Sequence, residues 1–137
     1  MRRRCLLLGC VAMAWLGACG AGEPAFAPGC ADRDEIEQAL DGGPFVADCV
    51  QDADTPAALQ GLGAVLTPLA EDLEAQAEED PAAARRLGFL IGATQKGLAA
   101  TDGRGAELGR RLERSGASVR DPEAVAALQE GLAEGSG

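Results

Sequence analysis

The sequence predicts an all-α fold, a small antiparallel bundle of about five helices. Three observations predict it. Apolar residues recur at helical spacing through most of the chain. Four pairs of a capping residue followed by proline, Thr55-Pro56, Thr67-Pro68, Asp80-Pro81 and Asp121-Pro122, punctuate it. No segment shows the sustained period-2 alternation of a half-buried strand.

The elements follow in order. Asp32 to Leu40 reads as a short helix, with Asp32 as cap, Glu35 three residues on, and Ile36 and Leu40 on one face. Asp41-Gly42-Gly43-Pro44 breaks it, and Pro44 suits the first position of a second short helix. Phe45, Val46, Cys49 and Val50 share one side of that helix. Asp54 to Glu79 carries Leu59, Leu62, Leu66, Leu69 and Leu73, a stripe of alternating three- and four-residue steps. Pro68 is expected to interrupt that helix, because proline removes one hydrogen bond and crowds the preceding turn.

Pro81 to Ala100 reads as a second long helix, with Leu87, Leu90, Ile91, Thr94 and Leu98 inward. Gly88 and Gly92 lie one turn apart, the spacing that lets two helix backbones approach closely. The run between them is too short to span a bilayer, so it predicts packing on a neighbouring helix. Gly105 to Arg114 is expected as a further helix, Ser115 to Arg120 as loop, and Pro122 to Ala133 as the last helix, with Val125, Leu128 and Leu132 inward. Residues 134–137 are expected to fray as a flexible tail. Short connections imply antiparallel neighbours.

The chain opens differently. Arg2, Arg3 and Arg4 precede an uncharged run from Cys5 to Leu16. That run is about 12 residues long, the length of a secretory apolar region and short of the ~20 that span a bilayer. It ends in Leu16-Gly17-Ala18-Cys19, which resembles the lipobox of bacterial lipoproteins. The resemblance covers residues 1–19 alone. It implies a signal peptide over 1–18, cleavage before Cys19, and a diacylglycerol on the Cys19 sulfur, with the new amino group often acylated (palmitate is a usual chain). Each buried methylene of such an anchor contributes about 0.8 kcal/mol, and two or more chains hold stably where one does not. The bilayer is therefore an expected partner through acylated Cys19. In the proteobacterial members an aspartate after the cysteine retains the protein in the inner membrane. Gly20 stands there, which points to an outer membrane facing the periplasm if the host has two membranes.

Taking 18 leader residues from 137 leaves 119, enough for one small domain. Residues 19–30 form the lipidated cysteine and a Gly/Pro/Ala linker, and 31–133 the helical domain. Ten linker residues reach no more than ~36 Å, so the domain sits close to whatever membrane holds Cys19. Cys30 and Cys49 are then the cysteine pair of an exported domain and read as a disulfide that staples the two short helices into an N-terminal hairpin. A redox pair or a metal site are the alternatives; the spacing is not C-x-x-C and no histidine is present to complete a soft-ligand site.

The formal charge is −10, with 22 acidic residues and 12 basic. Cys19 to Asp80 carries fifteen acidic residues and one basic residue, Arg33, whereas Pro81 to Gly137 carries seven and eight. The sign argues against a nucleic-acid partner. The densest acidic cluster, Glu71, Asp72, Glu74, Glu78 and Glu79 with Asp80, is a candidate face for an envelope protein, or simply the solvated side opposite the leucine stripe. Arg104, Arg110, Arg111, Arg114 and Arg120 are the basic counterpart, suited to lipid headgroups or to pairing with that face.

No catalytic residues, metal site or cofactor are expected. There is no histidine, no G-x-S-x-G elbow, no phosphate-binding loop and no EF-hand spacing after Asp32. The expectation is a membrane-anchored lipoprotein of the cell envelope whose acidic bundle binds or scaffolds protein. A small carboxylate-dependent envelope hydrolase and an abundant structural lipoprotein are the alternatives.

Overall fold

Side-chain caps open four of the helices in the computed structural model, which describes residues 27–137. Asp32 accepts from the Asp34 and Glu35 amides at 2.9 and 3.3 Å and starts α1, Arg33–Gln38. A turn of 3-10 helix, Ala39–Asp41, follows, and Gly42 and Gly43 then turn the chain at φ 139° and 100°. Only glycine adopts such angles without strain. Next comes α2, Phe45–Asp52. Thr55 accepts from the Ala58 amide and starts α3, Pro56–Ala77. Asp80 accepts from Ala82 and starts α4, Pro81–Ala99. The fifth helix, α5, is Ala106–Ser118, and Asp121 caps α6, Pro122–Ser136, by accepting from Glu123 and Ala124. Each of the three caps that precede proline therefore fixes a boundary read from sequence.

The described residues are all-helical, with six α-helices where about five are expected. Three boundaries differ. α3 runs unbroken through Pro68. Proline leaves the carbonyl four residues back, that of Ala64, without its helical donor. Ala64 and Pro68 are both exposed, so that carbonyl faces water and the helix continues. α5 continues to Ser118, and α6 continues past Ala133 to Ser136.

α4 is the central element. It packs against α2, α3, α5 and α6, and every residue from Leu87 to Thr94 is buried. Leu98 facing α5 pairs with Gly105 and Gly109, Gln95 with Glu113, and Ile91 with Gly116, so α4 and α5 run antiparallel. The closest pair, α4 and α6, runs parallel, which the expected antiparallel bundle does not contain. Gly88 lies against Leu128 and Gly92 against Leu132, while Gly131 lies against Arg85 and Gly135 against Phe89. A methyl group on any of the four would overlap a backbone carbonyl oxygen of the other helix. Arg85 and Glu134 form an ion pair at the edge of this seam. The seam turns α6 so that Ala124, Leu128, Gly131 and Gly135 are buried. Val125, expected inward, is 37% exposed for the same reason.

The core is aliphatic. Ile36, Leu40, Val46, Val50, Leu62, Leu66, Leu69, Leu87, Leu90 and Leu112 are fully buried, and Phe89 joins them. Cys30 and Cys49 are bonded, with their Cα atoms 5.5 Å apart, and both belong to this core. They hold the segment before α1 against α2. No helix among the described residues is long and apolar enough to cross a membrane.

Candidate functional site

The acidic cluster lies along the C-terminal half of α3 and the turn after it, and most of its carboxylates are occupied by the fold. Asp72 accepts from the Arg33 guanidinium at 2.6 Å, which ties α3 to α1 and raises the arginine pKa, chiefly through that hydrogen bond. Glu74 accepts from the Ser118 hydroxyl at the end of α5. Both Glu78 oxygens accept backbone amides, those of Arg120 and Asp121, the latter at 2.8 Å, and so supplement the cap of α6. Asp80 caps α4. Glu71 and Glu79 are exposed and have no hydrogen-bonded or ionic partner among the described residues. The six residues thus share the C-terminal half of α3 and the turn after it without forming one uniform free face.

The arginines divide in the same way. Arg110 and Arg111 both bind Glu107, at 2.7 and 3.1 Å. Those two hydrogen bonds hold the Glu107 carboxyl below its ordinary pKa. Arg104 donates to the carbonyls of Thr101 and Asp54 and closes the turn before α5 onto the end of α2. Arg86 reaches back to Asp41 with two hydrogen bonds, at 2.9 and 3.0 Å. Ion pairs from Arg33 and Arg86 therefore knit the acidic N-terminal elements to the rest of the bundle.

Between α3 and α5, which run parallel, the surface opens into two adjoining depressions that share Arg111. One is a hollow of about 390 Å³ with Leu59, Gly63 and Leu108 on its floor and Arg104, Glu107 and Arg111 among its charged walls. The other, of similar volume, is polar; Thr67, Glu71, Glu74, Arg114, Ser115 and Ser118 line it. The Thr67 hydroxyl oxygen there is buried without a partner among the described residues. The sequence offers pairing of the arginine cluster with the acidic face as one reading, and Glu71, Glu74, Arg111 and Arg114 do line one depression; the adjoining hollow was not foreseen. The available signal was Gly63, a glycine inside the leucine stripe of a long helix.

Cys19, the expected lipidation position, lies outside the described residues. Among the described residues no group of three or more histidine, cysteine, aspartate or glutamate side chains is placed to hold a metal ion. Comparison with known proteins returns no match, whether to family models, to curated proteins or to solved structures.

Proposed function

We propose that this chain is a lipid-anchored envelope protein whose helical bundle binds or scaffolds another protein close to the membrane. The observation that carries the reading is the N-terminal order of three arginines, an apolar run of about 12 residues and Leu16-Gly17-Ala18-Cys19. The chain would be cut before Cys19, and acyl chains on that residue would hold the bundle through the linker 20–29. A rigid core supports this reading, because a bundle held by buried aliphatic side chains presents its surface in a fixed arrangement. So does the Cys30–Cys49 disulfide, a bond that persists in the oxidising compartments to which proteins are exported. In this reading the exposed carboxylates Glu71 and Glu79, which the fold does not use, are where a basic surface of a partner would meet α3.

Intact-mass measurement of protein extracted from native membranes tests it. The expected species begins at Cys19, carries diacylglycerol and an amide-linked acyl chain, and is two hydrogens lighter than the fully reduced chain. A species that begins at Met1 and carries no acyl group overturns the reading. Partner binding has its own test. Crosslinking in intact cells, with and without Glu71→Lys and Glu79→Lys, should show one reproducible adduct that the charge reversals weaken by about tenfold, the effect of ~1.4 kcal/mol.

A further inference from the structure

We propose that the hollow between α3 and α5 binds a small anionic amphiphile, with its aliphatic chain on Leu59, Gly63 and Leu108 and its carboxylate or phosphate head on the unused Nη donors of Arg111. This inference concerns a ligand site within the bundle and does not depend on the membrane anchor.

Three observations carry it. The first is shape. A volume of about 390 Å³ is within the ~300–1,000 Å³ of small-molecule sites, and the floor is made of aliphatic side chains. The second is charge. Two guanidiniums face one carboxylate around this hollow, in a chain whose net charge is −10. Arg104 uses Nε and Nη1 on backbone carbonyls, which fixes the side chain and leaves Nη2 without an acceptor among the described residues. Arg111 binds Glu107 through Nε, and both of its Nη atoms have no acceptor among the described residues. A planar guanidinium with unused donors is matched to a carboxylate or phosphate.

The third observation is Gly63. Glycine inside a helix is a poor helix former. At Gly88, Gly92, Gly131 and Gly135 close packing of backbones requires it, since a Cβ would overlap the opposite chain. At Gly63 a Cβ would meet only the Leu108 Cδ1 atom, at 3.7 Å, an ordinary contact distance. Packing does not demand glycine there. Its effect is to keep the floor of the hollow open.

The full chain, methyl-labelled at leucine and free of bilayer lipid, provides the test. Decyl phosphate and decanoate are titrated below their micelle concentrations, with decyltrimethylammonium and inorganic phosphate as comparators. Saturable methyl shifts at Leu59 and Leu108 with either anionic amphiphile, at least tenfold tighter than with the cationic one, support the site, and the tighter of the two names the head group. Gly63→Leu should abolish those shifts, and Gly63→Ala should weaken them while leaving the melting temperature at or above that of the parent. Arg111→Gln should weaken decyl phosphate by about tenfold, a loss of ~1.4 kcal/mol. The proposal is overturned if Leu59 and Leu108 do not respond, if anion and cation shift them equally, if inorganic phosphate alone reproduces the response, or if Gly63→Ala binds as the parent does.

Discussion

A single methyl group at Gly131 would stand inside the Arg85 carbonyl oxygen of α4. The same addition at Gly63 would touch one leucine methyl at van der Waals distance. Two alanine substitutions of identical chemistry are therefore expected to act in opposite directions. Gly131→Ala forces α4 and α6 apart, an overpacking that typically costs about 1–3 kcal/mol. Gly63→Ala gains helix propensity without a clash and should stabilise by about 0.5–1 kcal/mol. Urea unfolding of both variants checks this: the midpoint should fall for the first and rise for the second. Equal shifts would show that the α4–α6 seam is looser than described. The sequence made half of this seam legible. Gly88 and Gly92 stand one turn apart between apolar residues, and that spacing alone points to close helix packing. Gly131 and Gly135 repeat that spacing in α6, but Gly135 falls in the stretch 134–137 expected to fray, and residue type does not distinguish a glycine that ends a helix from one that admits a neighbour. Only the partner backbone decides.

At the scale of elements, the short N-terminal helices need help that the long ones do not. α1 has six residues and α2 eight, lengths at which an isolated helix does not persist in water. The Cys30–Cys49 bond closes a loop with a sequence separation of 19 across them. In the chain-entropy account a loop of this size contributes about 3 kcal/mol. The double variant Cys30→Ser, Cys49→Ser should lower unfolding free energy by roughly that amount, with the loss matched by reductant treatment of the parent. A parent indifferent to reductant would refute the staple. α6 depends on a different device. It leans on α4 through the glycine seam, and the two residues that lead into it, Arg120 and its cap Asp121, are held by Glu78 at the end of α3. Glu78→Ala removes that acceptor and should destabilise by about 0.5–2 kcal/mol, the range of a lost helix cap. Hydrogen exchange should accelerate first at the Arg120 and Asp121 amides. Helix starts were readable because caps and prolines are local. Pro68 was misread because its effect depends on which side of the helix loses the hydrogen bond. The leucine stripe already turns Ala64 and Pro68 away from the core, so the survival of the helix was legible there once proline was weighed by the side on which it falls. The candidate site was less legible still. Individual charged residues were visible, but the hollow exists only because α3 and α5 run parallel, which depends on both intervening turns.

The whole molecule is acidic, contains no histidine, and pairs its charges across elements distant in sequence. Histidine is the side chain whose ordinary pKa lies between pH 5 and 8, so stability should be level across that interval. Acid is where the charge pattern acts, through two opposed effects. Protonation relieves the mutual repulsion of a chain at −10, which favours the compact state. Protonation also removes carboxylates that the fold binds as anions. Glu107 is the clearest case, since hydrogen bonds from Arg110 and Arg111 lower its pKa in the folded protein. The sign follows from linkage. A group whose pKa is depressed by folding stabilises fully above its unfolded pKa of about 4.3, and that contribution disappears as pH falls through the depressed folded value. Glu107 is solvent-exposed, so screening keeps the contribution small. Urea midpoints of the parent and Glu107→Gln, measured at pH 6 and again below pH 3, isolate it from the global repulsion that both proteins share. The parent should be the more stable at pH 6, and the difference should shrink or vanish in acid. A difference that persists unchanged at low pH would mean that Glu107 acts through packing or helix propensity instead of its charge, and the acid response would then belong to the net charge of the bundle as a whole.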